Sequence, residues 1–201
     1  MTEQGDHALL AQIRSCSACD ALPLGPRPIL QWERRAPILI AGQAPGSRTH
    51  HKGVPFDDPS GDRLRQWLGV TRDAFYDGSL FAIVPMAFCF PGSGERGDLP
   101  PPPQCAALWR KQLLDRMSGI ELTIVLGRHA ADWHGFDRKA TLADLTGQWR
   151  ETLPSTIVLP HPSPRNRMWF SRNRWFEAEV LPALRDRVQA LAAARRPRCG
   201  V

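Results

Sequence analysis

The sequence predicts a three-layer α/β/α domain built on a central, mostly parallel four-stranded sheet. Four short apolar runs recur along the chain: Pro37-Ile-Leu-Ile-Ala-Gly42, Leu80 to Val84, Leu122 to Leu126, and Thr156 to Leu159. Short continuous apolar runs fit strands covered on both faces, as in parallel sheets. Segments with helical spacing lie between them, and that alternation places helices on a sheet. The length of 201 residues suits a single domain that buries its core without a disulfide framework.

The elements follow in order. Ala8 to Arg14 reads as a short helix running into Cys16-Ser-Ala-Cys19. Pro23, Gly25, Pro26 and Pro28 then make a loop. The first strand stops at Gly42. Asp62 to Leu68 is helical, with Leu64, Trp67 and Leu68 on one face. The second strand ends near Cys89. A turn-rich stretch, Phe90 to Gln104, separates Cys89 from Cys105. Cys105 to Met117 returns to helical spacing with Leu108, Trp109, Leu113 and Leu114. A final helix is expected from about Trp169 to Ala194, kinked or broken at Pro182. The domain is expected to span residues 1–194, with a disordered tail at 195–201 that carries Cys199 as a bystander.

Composition excludes several classes. Hydrophobic residues are 42% and charged residues 23%, the values of an ordinary globular chain rather than a disordered one. No apolar run approaches the roughly 18 residues of a membrane span. The N-terminus lacks the basic and apolar regions of a signal peptide, so a cytoplasmic location with reduced thiols is expected. No heptad seam demands assembly, so a monomer is expected. The formal charge is +6, and only Lys52, Lys111 and Lys139 are lysines. Arginine binds phosphate bidentately and stacks on bases, so the charge is compatible with nucleic acid without establishing it.

Ligand sites of open α/β sheets lie beyond the carboxyl ends of the strands. Three unusual segments fall there: Gly42-Gln43-Ala44-Pro45-Gly46, Cys89, and His161-Pro162-Ser163-Pro164-Arg165-Asn166. Cys16 and Cys19 have a spacing that reaches one metal or cluster, and Cys89 and Cys105 flank a proline-rich loop. Four soft ligands suit zinc or an iron–sulfur cluster, and spacing alone does not choose between them. Cys89 and Cys105 could equally be small buried hydrophobes.

This ordered set resembles the uracil-DNA glycosylase superfamily, and most closely its iron–sulfur families 4 and 5. The four cysteines match those families in order and approximate spacing, which implies a structural [4Fe-4S] cluster, with zinc as the alternative. Gly42 to Gly46 resembles their Gly-Glu-Ala-Pro-Gly or Gly-Leu-Ala-Pro-Gly motif, and His161 to Asn166 their His-Pro-Ser stretch with a following Asn. Gly53-Val-Pro-Phe56 resembles the segment whose Phe stacks on the base, and Asp58-Pro-Ser-Gly61 the family 5 Asp-x-Ser-Gly segment.

The resemblance implies a DNA glycosylase that hydrolyses the N-glycosidic bond of uracil, or a related deaminated base, and so initiates base excision repair. Its expected catalytic residues are His161, Asp58 and Gln43. Asp57 and His51 are rivals to Asp58, and both aspartates could instead shape a turn or cap a helix. Gly42, Gln43, Ala44, Phe56, Ser163 and Asn166 are expected to bind substrate, and Arg165 and Arg167 DNA. The segment Arg165 to Arg174 interleaves arginine with aromatics, as a phosphate-binding wedge would, unless Trp169 and Phe170 turn inward. One departure stands out: Pro85 occupies the place where family 4 has a base-reading Asn. The alternatives are a non-catalytic or covalent binder of damaged or uracil-containing DNA on the same fold, and a zinc-ribbon-like interaction protein.

Overall fold

The computed structural model describes residues 2–19, 21–95 and 97–195. Its sheet has four parallel strands in the order β2-β1-β5-β6, where β1 is Ile38–Ala41, β2 Phe81–Ile83, β5 Leu122–Leu126 and β6 Thr156–Leu159. Between β2 and β5 lies a small antiparallel hairpin, β3 Ser93–Gly94 with β4 Gly97–Asp98. The sequence pattern does not announce it, because its residues are exposed and polar.

Strand alternation sorts the core into layers. Ile38, Ile40, Phe81, Ile83, Ile124 and Ile157 face one side, against α3 (Pro59–Leu68) and the C-terminal helix α11 (Leu181–Arg195). Leu39, Ala82 and Val84 face the other, against α1 (Glu3–Arg14) and α6 (Lys111–Asp115). Ala41, Val125 and Val158 meet α7 (Arg128–Trp133) and α8 (Leu142–Gly147) through Ala130, Ala131 and Leu145. These strand residues are almost wholly buried, and each large one contributes roughly 1.5–3 kcal/mol of transfer free energy. Helices on both faces bear out the three-layer expectation.

The C-terminal segment differs from expectation. Its break lies at Asn173, between α10 (Arg167–Arg172) and a π-helical turn, Phe176–Val180, that leads into α11. Asn173 turns its amide back to the Trp169 carbonyl at 2.8 Å, which ends α10. Pro182 sits in the first turn of α11 without breaking it. The wider turn before it takes up the register change that a missing N–H imposes. Trp169 and Phe170 pack inward on the core, so Met168, 65% exposed, is the apolar side chain that α10 turns to solvent. Helix α11 runs through Arg195; residues 196–201, including Cys199, lie outside the described residues. Among the described residues no helix is long and apolar enough to cross a membrane.

Candidate active site

The Gly42–Gly46 turn leaves the carboxyl end of β1 and enters α2 (Ser47–Lys52). Met86 donates its N–H to the Gly42 carbonyl at 2.9 Å, and Ala87 to that of Gln43 at 3.0 Å. The turn is thereby stitched to the segment that follows β2. The N–H groups of Gln43 and Ala44 donate to no other described residue, leaving them available at the strand end.

Phe56 is held beside this turn at a cost in backbone strain. Its φ of 54° lies in the left-handed region, which a bulky residue enters only when its surroundings compel it. Three contacts compel it here. Arg65 donates to the Phe56 carbonyl at 3.2 Å, and Tyr76 to the Pro55 carbonyl at 2.9 Å. Gly61 lies so close that any Cβ would collide with the Phe56 carbonyl oxygen. That contact gives a physical reason for the glycine in Asp58-Pro-Ser-Gly61. Asp58 caps α3, its Oδ1 accepting from the Gly61 N–H at 2.8 Å, while Thr49 approaches its Oδ2 at 3.5 Å. The cap reading of Asp58 therefore holds, and its second oxygen takes only the long Thr49 contact. Asp57 pairs instead with Arg72 at 2.7 Å and Lys52 at 3.2 Å, and these partners hold its carboxyl below the usual range. His51 is exposed on α2.

The second loop converges on the first. The rings of His161 and Phe56 are 28° from parallel with centroids 6.4 Å apart. Gly127, at the end of β5, lies between the two motifs. A Cβ there would collide with Gln43 Nε2 and lie 3.7 Å from His161 Cβ, and its φ of 82° suits only glycine. The His161 loop is braced from several sides. Asn166 donates its amide to the His161 carbonyl at 2.7 Å, and Ser163 Oγ accepts from the Arg165 N–H at 3.2 Å. Arg63 reaches from α3 to the carbonyls of Pro162 and Ser163 at 3.3 and 3.2 Å. The side chains of Ser163 and Asn166 thus hold the loop's shape. Arg165 and Arg167 are exposed beside it.

His161 Nδ1 accepts the Ser163 N–H at 3.2 Å. A neutral imidazole bonded in this way carries its proton on Nε2, so Nε2 is the donor it can offer a ligand. Burial lowers the pKa of His161, against smaller upward pulls from Asp58 and Asp98. Asp98 comes from the β3–β4 hairpin. Its Oδ2 lies 3.4 Å from where a Gly46 Cβ would stand, and the Arg165 guanidinium packs over Gly97. The hairpin therefore touches both loops of the site.

Acid should weaken the fold through histidines kept neutral. His134 is held down at about 4 by burial and by Arg110, and the pKa values of His50 and His161 are also lowered. The unfolded chain binds protons on these rings from about pH 6.5 downward while the folded chain refuses them. The expected result is a stability that is flat above pH 6.5 and falls steadily toward pH 4. Urea melts across that range check it.

Cys16, Cys19, Cys89 and Cys105 line one pocket, together with Ile13, Phe88 and Trp109. Helix α1 delivers Cys16, and it is anchored by Leu9, Ile13 and a two-pronged pair of Arg34 with Asp6 at 2.6 and 2.7 Å. The sulfurs collect N–H donors: Trp109 Nε1 to Cys16 at 3.2 Å, the Phe88 N–H to Cys105 at 3.4 Å, and Gln104 Nε2 to Cys19 at 3.7 Å. Burial raises the Cys89 thiol and pushes Cys105 up to about 12. Among the described residues, no three His, Cys, Asp or Glu side chains close on a single ion. The donor set is soft, and three of its sulfurs receive N–H groups.

The chain matches the model of the uracil DNA glycosylase superfamily over residues 31–185, and it belongs to that superfamily. It is also similar to a solved structure, the solution NMR structure of a candidate uracil DNA glycosylase from Methanosarcina acetivorans. The two are 20% identical, the match covers 80% of this chain and 97% of that one, and the TM-score is 0.49.

Sequence reasoning missed Gly127, Arg63, Arg65, Arg27 and Asp98. Gly127 was findable, since it follows the third apolar run as Gly42 follows the first. The arginines carried no signal, because which of 26 basic residues turns inward depends on packing.

Proposed function

We propose that this protein is a DNA glycosylase that hydrolyses the N-glycosidic bond of uracil or a related deaminated base in DNA. The observation that carries the reading is the meeting of His161, Phe56 and the Gly42–Gly46 turn around Gly127 at the carboxyl edge of the sheet. The target nucleotide must leave the duplex to reach such a site. Phe56 offers a face on which the base stacks. Two van der Waals thicknesses need about 7 Å, so a base enters between Phe56 and His161 only if one ring yields from their 6.4 Å separation.

As the C1′–N bond breaks, its electron pair moves to the base and the sugar becomes cationic. His161 Nε2–H and the free N–H groups of Gln43 and Ala44 then stabilise the anionic base oxygen as preorganised donors. Water adds to C1′ and gives up a proton, which Asp58 Oδ2 can accept or direct. Arg165 and Arg167 contact phosphates, and Met168, the exposed apolar side chain of α10, supplies the wedge that fills the vacated stack.

A [4Fe-4S] cluster would be ligated by Cys16, Cys19, Cys89 and Cys105, which line one pocket as four soft donors. Zinc draws its four ligands to within about 2.3 Å of one point; among the described residues no three such side chains close on one ion, and the N–H donors to the sulfurs favour a cluster. Bound there, the group supplies cross-linking of the N-terminal loop to the 89–105 segment. Hydrolysis needs no redox step.

Oligonucleotides carrying uracil, hypoxanthine or xanthine, treated with alkali after incubation, test the activity. Strand breaks at the lesion are expected; retained binding with no breaks on any lesion would instead establish a binder. Asp58→Asn separates cap from chemistry, since Asn caps as well as Asp. Its melting temperature should stay within a degree or two, while the single-turnover rate falls about 10²–10⁴-fold.

A further inference from the structure

We propose that the Gln43 side-chain amide reads the edge of the extruded base, and that it selects lactam-bearing bases as a class, uracil over cytosine and hypoxanthine over adenine. This rests on the glycosylase reading above. Three observations lead to it. Pro85, buried at the end of β2, stands 3.8 Å from where a Gly42 Cβ would point, beside the Phe56 ring at 3.4 Å. Pro85 offers neither an amide side chain nor an N–H. Gln43 is half-buried, and its amide takes no part in the hydrogen bonds that brace the two loops. Gly127 leaves that amide the room it occupies, on the side where His161 Cβ also approaches. A polar group half-buried with no partner among the described residues, beside the proposed donor histidine, is placed to meet a ligand.

The chemistry of the edge follows. A primary amide presents one acceptor and one donor side by side. A lactam, O=C–N–H, presents the complement, so the pair forms two hydrogen bonds at once. Uracil and hypoxanthine carry such an edge where cytosine and adenine, from which they arise by deamination, do not; thymine and guanine share it, so shape elsewhere in the pocket must reject them. Gln43 touches the base directly, whereas Gly127 is a positioning residue that acts through it.

The test compares uracil with 3-methyluracil, whose lactam N–H is replaced by a methyl group, and with hypoxanthine, all in the same oligonucleotide context. The wild-type protein is expected to cleave uracil and hypoxanthine, and to favour uracil over 3-methyluracil by about 10- to 100-fold. Gln43→Met, similar in size and without an amide, should lose that preference while binding abasic-site product as the wild type does. An undiminished preference in Gln43→Met overturns the proposal, and equal losses on both bases assign Gln43 to water instead. Cleavage of uracil alone overturns the class assignment. Cleavage of nothing by the wild type is the failure of the glycosylase reading, not of this one. Gly127→Ala should lower the same preference, with no further loss when added to Gln43→Met; multiplied losses would show that Gly127 acts separately. Should Gly127→Ala not fold, the Gln43→Met comparison decides alone.

Discussion

His161→Ala should lose about 10²–10³-fold in single-turnover rate while still binding damaged DNA. The size follows from what is removed: one preorganised donor facing developing negative charge is worth about that factor. The argument depends on His161 being neutral. Its Nδ1 accepts the Ser163 N–H and burial lowers its pKa, so the ring offers Nε2–H across neutral pH. Protonation would forfeit the Ser163 bond and strain the loop that Arg63 and Asn166 brace. Activity should therefore fall on the acid side only below the ordinary histidine value of 6.5. Binding should survive, because the exposed Arg165 and Arg167 remain. A His161→Ala protein that cleaves at the wild-type rate would remove His161 from the mechanism.

Replacing Cys89 or Cys105 should abolish absorbance at ~400 nm, the region where iron–sulfur centres absorb, and lower the melting temperature by at least about 10 °C. A metal centre that organises a small fold contributes about 10–16 kcal/mol, and a domain of this size loses about 2–4 °C per kcal/mol. Even half of that contribution gives the expected shift. Activity should fall as well, because the cysteine loops buttress the site. Arg27, between Cys19 and β1, donates to the His50 and His51 carbonyls at 2.6 and 3.1 Å, at the end of α2. The β3–β4 hairpin, between Cys89 and Cys105, touches Gly46 and Arg165. Metal analysis separates iron from zinc. Unchanged colour, metal content and melting in these variants would leave the four thiols as packing residues alone.

How the two loops are held was less legible than their chemistry. Asp58 reads from sequence as either catalyst or cap, and the structure shows the cap on one oxygen with only a long contact from Thr49 on the other. Ser163 and Asn166 read as substrate ligands because they belong to a motif, yet their side chains brace the loop. Trp169 and Phe170 read as a wedge because arginines surround them; packing against Trp67 and Phe176 claims them for the core.

The amino-acid sequence alone determined the layered α/β architecture, the strand ends where chemistry gathers, the superfamily and the four thiols. Each follows from local periodicity or from residues a few positions apart. Tertiary structure decided which side chains face one another: Gln43 and His161 across Gly127, Phe56 forced over by Gly61, Arg63 and Arg27 clamping distant carbonyls. Those contacts join residues up to about 120 positions apart, and they exist only once burial of the sheet has brought its loops to one edge.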